Sequence, residues 1–246
     1  MNTSKYVSPV TRMARKILNL KLKRCGAVIV AAGSASRMGG VDKILEDVGG
    51  EPLILRTVKA FVACDAVSEI VIVTRPDQVE KISGLCGGLE KVTAVVTGGK
   101  DRAESVHLGL NALSDKMKLA AIHDGARPMV TWQLIDRVIR AANSFGAAVP
   151  GVPVKDTVKI TGGGLVKSTP DRKNLCAVQT PQVFDYDMLR AALKKVRTDG
   201  TAITDDSSAI ELMGMSVKVV EGDERNIKVT TPMDLAIVRL LAEEQE

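Results

Sequence analysis

Three segments of this 246-residue chain combine residue types and spacings that could do chemistry. The first is 31-AAGSASRMGGVDK-43. Its small residues let the backbone approach a polyphosphate, and the exposed amides of such a loop can cradle phosphate oxygens. Arg37 and Lys43 add the positive charge that a phosphoryl transition state needs around it. The spacing is not G-x-G-x-x-G, and no Gly-Lys-Ser/Thr is present, so neither the dinucleotide fingerprint nor the Walker loop is indicated. The second segment is 122-IHDGARP-128, in which Asp124 would suit Mg²⁺, a hard cation that keeps waters and bridges phosphates. Read blandly, Asp124-Gly125 only makes a turn. The third, 98-GGKDRAESV-106, offers amides at a helix start and the Ser105 hydroxyl to a base edge or phosphate. It also reads as a plain turn and helix start capped by Asp101. Three later stretches carry hydroxyls beside charges, basic in 171-DRKNLCAVQTPQVF-184 and 225-RNIKVTTPMDL-235 and acidic in 203-ITDDSSAI-210; Asp205, Asp206 and Ser207 suit a helix cap.

These segments need a scaffold, and the chain's rhythm supplies one. Strand-length apolar runs at Val28–Ala31, Ile70–Thr74, Val92–Val96, Ala120–His123 and Ala147–Val152 alternate with helical patterns. The helices are expected at Pro52–Ala63, Asp77–Leu85, Ala103–Leu113 and Trp132–Ser144. This alternation predicts an α/β fold: a three-layer, doubly wound, mostly parallel sheet. Ligands of such sheets bind at the carboxyl ends of the strands, which is where Asp124 and Arg127 fall. The rhythm breaks at 157-TVKITGGGLVKST-169, two β-branched runs around Gly162-Gly163-Gly164 that read as an inserted β-hairpin. Beyond it come Val178–Phe184, helices over Asp187–Val196 and Asp205–Met213, a strand at Val217–Glu221 and a last helix at Pro232–Glu243. The expected organisation is a basic N-terminal extension (1–24) and one domain (25–246), with an arm at about 154–172.

Composition narrows the function. Of 34 basic residues, seven stand in 1–24 without one acid, leaving 27 against 29 acids and a net charge of −2 for the body. That balance, with aromatics at 2%, argues against a nucleic-acid surface. No run reaches the length of a membrane helix. Four scattered cysteines and two histidines leave no metal cage and suit reduced thiols in the cytoplasm.

Taken in order, the motifs resemble those of the 2-C-methyl-D-erythritol 4-phosphate cytidylyltransferases of non-mevalonate isoprenoid synthesis. The likeness spans roughly residues 26–243. It rests on the loop with Arg37 and Lys43, the H-D-G-A-R-P box, 154-VKDT-157, Q-T-P-Q, I-T-D-D-S-S-A and N-I-K-V-T. The resemblance implies a Rossmann-like nucleotidyltransferase that moves CMP from CTP to a sugar-alcohol phosphate. It implies that Ala31, Ala32 and Gly33 line the CTP phosphates and that Gly99 and Ser105 contact cytidine. Arg37 and Lys43 would stabilise the transition state, Asp124 would hold Mg²⁺, and Arg127 would lie near the acceptor phosphate. Thr157 and Arg172 would reach the acceptor in the partner of a homodimer joined through the arm, while Thr180, Thr204 and Lys228 hold it from the same chain. A phosphate monoester, with a second pKa of about 6, is already a competent nucleophile, so no general base is expected. The alternatives are another acceptor, such as ribitol 5-phosphate, and a nucleotide-binding regulator that does no chemistry.

Overall fold

The computed structural model of the protein describes residues 22–33 and 42–244. In chain order its strands are β1 (Cys25–Val30), β2 (Val67–Thr74), β3 (Val92–Thr97), β4 (Leu119–Asp124), β5 (Ala147–Pro153), β6 (Ile160–Gly162), β7 (Leu165–Ser168), β8 (Cys176–Val178), β9 (Gln182–Asp185) and β10 (Lys218–Glu221). The helices are α1 (Leu53–Val62), α2 (Val79–Cys86), α3 (Arg102–Ala112), α4 (Trp132–Phe145), α5 (Tyr186–Asp199), α6 (Asp206–Leu212) and α7 (Pro232–Glu243). The main sheet runs β10-β5-β9-β4-β1-β2-β3, with β8 on the edge of β5. Neighbours are parallel except at β9, which is antiparallel to both β4 and β5, and at β8, which is antiparallel to β5. The mostly parallel, doubly wound sheet is therefore present.

Alternate strand residues face opposite sides, and both sides are covered. Ala27, Ile29, Ile70 and Ile72 pack with Ile54 and Phe61 of α1, Ile82 of α2 and Ile135 of α4. Their neighbours Val28, Val71, Val73 and Ile122 face the other layer, with Leu110 of α3, Leu193 of α5 and Ile210 of α6. Such strands read as unbroken apolar runs because neither face meets water. Helix α7 seals a smaller cluster with Val48, Leu53, Met129 and Val229, opened by Pro232 and a Thr231–Asp234 capping box.

Two expectations change in detail. The run 178–184 is two strands, because Pro181 has no N–H for a ladder; Gln179-Thr180-Pro181 separates β8 from β9. The basic extension also does not end cleanly at residue 24. Leu22 packs against the core, the Lys23 amide donates to Asn143 Oδ1 at 3.0 Å, and Lys118 and Leu119 amides donate to the Arg24 carbonyl. Residues 1–21 lie outside the described part. The hairpin forms as read: β6 and β7 pair antiparallel across Gly163 and Gly164, whose φ values of 61° and 78° suit glycine in a tight hairpin turn.

Candidate active site

The order β3-β2-β1-β4 places the switch point of the winding between β1 and β4, and the chain beyond both strands converges there. Ala31 follows β1 directly, its amide bonded to the Val73 carbonyl, while the Gly125 amide donates to the Val30 carbonyl. Gly98, just past β3, approaches so closely that a Cβ there would stand 2.5 Å from that of Ala32. The segments 31–33, 98–105 and 124–127 thus form one rim. Because β9 runs antiparallel to β4, its first residue, Gln182, pairs with Ile122, which brings Thr180 to the same rim. Loop 222–229, after β10, completes it: the Val229 amide donates to the Ala126 carbonyl, and Lys43 Nζ donates to the Val229 carbonyl at 3.0 Å.

Asp124 is the electrostatic centre. Arg102 Nη1 lies 2.6 Å from its Oδ1; Lys228 Nζ and Arg127 Nε lie 3.0 and 3.5 Å from Oδ2. Burial alone would raise this carboxyl's pKa, but Arg102, Lys228 and Arg127 outweigh it and hold it well below the usual range. Arg102 Nη2 reaches further, to Oδ2 of the fully buried Asp206 at 2.8 Å. Burial pushes the Asp206 carboxyl up, and Arg102 offsets this only in part. Three cations against two carboxylates leave one net positive charge, and Lys228 is its most exposed carrier.

The Q-T-P-Q stretch works as a clamp with three jaws. Gln179 Nε2 donates to the Asp223 carbonyl and its Oε1 accepts the Asp223 amide, fixing the loop after β10. Gln182 Nε2 donates to Asp205 Oδ2 and its Oε1 accepts the Ser207 amide, fixing the start of α6. Between them, Thr180 Oγ1 accepts the Asp124 amide at 3.1 Å and lies 3.0 Å from His123 Nδ1. The Arg127 carbonyl, 3.5 Å from Nε2, can only accept, which puts the imidazole proton on Nε2 and leaves Nδ1 to accept from the Thr180 hydroxyl. Burial pushes His123 down to about 3, so the ring is neutral; it stacks obliquely on Phe61 at 4.9 Å. A cavity of about 1020 Å³ lies beside this cluster, lined by Arg102, His107, Arg190 and Arg197 among others, but by neither Asp124 nor Lys228.

Comparison with known proteins decides what this constellation belongs to. The model of the family IspD, 2-C-methyl-D-erythritol 4-phosphate cytidylyltransferase, matches residues 25–244. The chain belongs to this cytidylyltransferase family. A member from Symbiobacterium thermophilum is 44% identical over 220 residues, covering 89% of this chain and 92% of its own. One from Caldanaerobacter subterraneus is 42% identical over 221 residues, with 87% and 96% covered. A crystal structure of 4-diphosphocytidyl-2C-methyl-D-erythritol synthase from Anaerococcus prevotii superposes with a TM-score of 0.81 at 31% identity, covering 90% of this chain and 99% of that one. The Thermus thermophilus cytidylyltransferase gives 0.73 at 33%, covering 89% and 99%.

Within this cytidylyltransferase fold the expected site residues divide into three groups. Ala31–Gly33, Lys43, Gly99, Ser105, Asp124 and Lys228 gather on or behind the rim. Three side chains there turn inward. Arg127, expected at the acceptor phosphate, is buried and donates to the Asn226 carbonyl at 2.7 Å as well as to Asp124. Thr180, expected to touch the acceptor, is 4% exposed with its hydroxyl engaged on both sides. The Ser105 hydroxyl donates to the Asp101 carbonyl and accepts the Gly99 amide. Asp101 caps α3 as the plainer reading had it, accepting the Glu104 amide, and Asp205 caps α6 in the same way. The third group is exposed: Thr157 lies on the arm, Arg172 Nη1 donates to the Lys155 carbonyl at its root, and Thr204, two residues before the Arg102-bound Asp206, faces the Ser208 hydroxyl. Arg37 lies outside the described residues.

Two members of the cluster were missed by sequence reasoning: Arg102 was not singled out, and Asp206 was expected only as a helix-cap candidate, a place that Asp205 takes. One signal was available. Arg102 opens α3, where the helix dipole disfavours a cation, so its presence there points to a specific anionic partner.

Proposed function

We infer that this protein transfers CMP from CTP to 2-C-methyl-D-erythritol 4-phosphate, releasing pyrophosphate, in isoprenoid precursor synthesis. The observation that carries the reading is a single buried carboxylate, Asp124, ringed by Arg102, Arg127 and Lys228 at the switch point of the sheet. It stands beside a small-residue loop in a chain of this family. An oxygen of the acceptor phosphate attacks the α-phosphorus of CTP. A new P–O bond forms, the bond to the β-phosphate's bridging oxygen breaks, and pyrophosphate leaves with that electron pair. The attacking dianion needs no base. His123 cannot serve as one: it is buried, burial makes it a weak base, and its Nδ1 is already bonded to Thr180. Alignment and charge neutralisation remain as the protein's task. We assign Lys43 and Arg37 to the transferring phosphoryl group, Lys228 to the acceptor, and Ala31–Gly33 with Gly99 to the nucleotide. Ribitol 5-phosphate is the less favoured acceptor, since the Symbiobacterium and Caldanaerobacter relatives are named for methylerythritol phosphate.

The donor set suits Mg²⁺. Among the described residues no group of three or more His, Cys, Asp or Glu could cage a metal, and Mg²⁺ characteristically takes one or two carboxylates and completes its shell from phosphates and water. Asp124 is that carboxylate in our reading, with the exposed Lys228 as the cation that yields a place. When bound, Mg²⁺ would neutralise charge on the CTP phosphates.

We further propose a homodimer joined through the arms. Ile160, Leu165 and Val166 are 52%, 74% and 60% exposed on an isolated two-stranded hairpin, which is marginal by itself in water. A twofold partner would cover them and bring Thr157 and Arg172 to the neighbouring acceptor site. A cytoplasmic location is supported by four free thiols, three of them buried. No helix among the described residues is long and apolar enough to cross a membrane. The function is tested by incubating the protein with CTP, Mg²⁺ and a panel of polyol phosphates and following pyrophosphate. Release that requires methylerythritol phosphate supports the reading; release with ribitol 5-phosphate alone refutes it.

A further inference from the structure

We propose that Arg102 is a positioning residue that ties the acceptor-side loop 203–206 to Asp124, and that seating of the second substrate depends on this bridge. The proposal rests on the cytidylyl-transfer reading above. Its basis is the division of one guanidinium between two acids, Nη1 to Asp124 at 2.6 Å and Nη2 to Asp206 at 2.8 Å. Asp206 is wholly buried, Arg102 is its ion-pair partner among the described residues, and its second oxygen has no hydrogen-bond partner. Arg102 Nε is likewise unbonded, so the link is a single two-pronged contact rather than part of a saturated network. Two residues before Asp206 stands Thr204, and Asp205 between them is held by Gln182 and by the helix it caps. The charged tie from this loop to the centre of the site therefore runs through Arg102.

The nucleotide side does not depend on it in the same way. Loop 98–101 is fixed by its own bonds: the Gly99 amide to Ser105 Oγ, the Lys100 amide to Glu104 Oε2 and the Glu104 amide to Asp101 Oδ1. Disturbing Arg102 should move the acceptor half-site while leaving the CTP half-site nearly in place.

Arg102→Lys keeps the charge, but one ammonium cannot reproduce the planar fork that serves both acids. In the full-length protein, the expected result is a rise of about tenfold or more in KM for methylerythritol phosphate with a fall in kcat, while KM for CTP stays within about threefold. A wild-type acceptor KM in this variant overturns the proposal. A second comparison separates positioning from mere stability. Arg102→Met strands the buried Asp206 carboxylate, while Asp124 keeps Lys228 and Arg127, and Asp206→Leu added to it removes the stranded charge. The pair should regain part of the urea midpoint lost by Arg102→Met but keep the raised acceptor KM. Recovery of the KM together with stability overturns the proposal. If the wild-type protein proves inactive with this acceptor, the assigned function falls, yet the bridge is still read from urea unfolding alone: non-additive effects of Arg102→Met and Asp206→Leu support it, and additive ones overturn it.

Discussion

Replacing Asp124 by Asn removes one charge and little volume at the point where three cations meet. The wild-type cluster carries one net positive charge; the variant carries two, held by Arg102, Arg127 and Lys228 around one remaining carboxylate, Asp206. The Asp124 side chain is only 8% exposed, so water cannot take over its role. Lys228 is 41% exposed and can turn outward, so its loss is screened, whereas Arg127 at 11% cannot leave. Removing one partner of a buried ion pair costs about 3–5 kcal/mol. The amide still accepts a hydrogen bond and Lys228 is free to relax, which favours the lower end, about 3 kcal/mol. For a domain of this size that corresponds to a fall in Tm of roughly 6–12 °C. Circular dichroism melts and urea titrations of the two proteins measure it. Adding Lys228→Met to Asp124→Asn should recover part of the loss, because the second change removes an unpaired cation. An Asp124→Asn protein melting within about 2 °C of wild type would show that the carboxylate is not holding the cluster together. In turnover assays the same variant should need more Mg²⁺ for half-maximal rate, since an amide is a poorer ligand for a hard cation.

Three further outcomes follow from the same geometry. Lys43→Ala and Arg37→Ala should each lower kcat about a hundredfold or more with modest loss of CTP affinity, and near wild-type kcat in either would remove its assigned role. Because the folded pKa of His123 drops from 6.5 to about 3, only the unfolded chain takes up its proton between those values. His123 therefore contributes nothing to pH dependence above about 6.5, and stability should fall by about 1.4 kcal/mol per pH unit as pH drops from there towards 4.5, above the range of most carboxylates. The slope is read by urea unfolding; its survival in His123→Asn would assign it elsewhere, with the partly buried His107, whose pKa is also lowered by burial, the first alternative. Finally, Arg172→Ala and Lys43→Ala subunits, each inactive alone, should regain activity when mixed. A shared-site dimer places both lesions in one site and leaves the other intact; a dead mixture after verified subunit exchange, or a monomer by sedimentation, refutes the arm-to-arm arrangement.

The sequence by itself determined whatever is encoded over a few neighbouring residues. Buried parallel strands appear as unbroken Val/Ile/Ala runs because both faces are covered, and helix starts appear in Asp101, Asp205 and Thr231 because caps bond amides two or three residues on. The Gly163-Gly164 turn and the rim segments 31–33, 98–105 and 124–127 were legible for the same reason, the last aided by the rule that open α/β sheets bind ligands at the carboxyl ends of their strands. The run 178–184 was expected unbroken, and its division at Pro181 emerged only in the sheet. Only the sheet's antiparallel β9 carries Thr180 back to Asp124, 56 residues away in sequence, and turns its hydroxyl inward rather than towards a ligand. The bonds that define the charge cluster span 22 residues from Arg102 to Asp124, 104 from Arg102 to Asp206 and 186 from Lys43 to Val229. No local pattern encodes these partners: an arginine at a helix start points to some anion, but nothing along the chain says that the anions are Asp124 and Asp206. Packing decided it, because Asp206 is buried in the first turn of α6 with Arg102 as its ion-pair partner among the described residues, and the crossing of α3 over the sheet put Arg102 there.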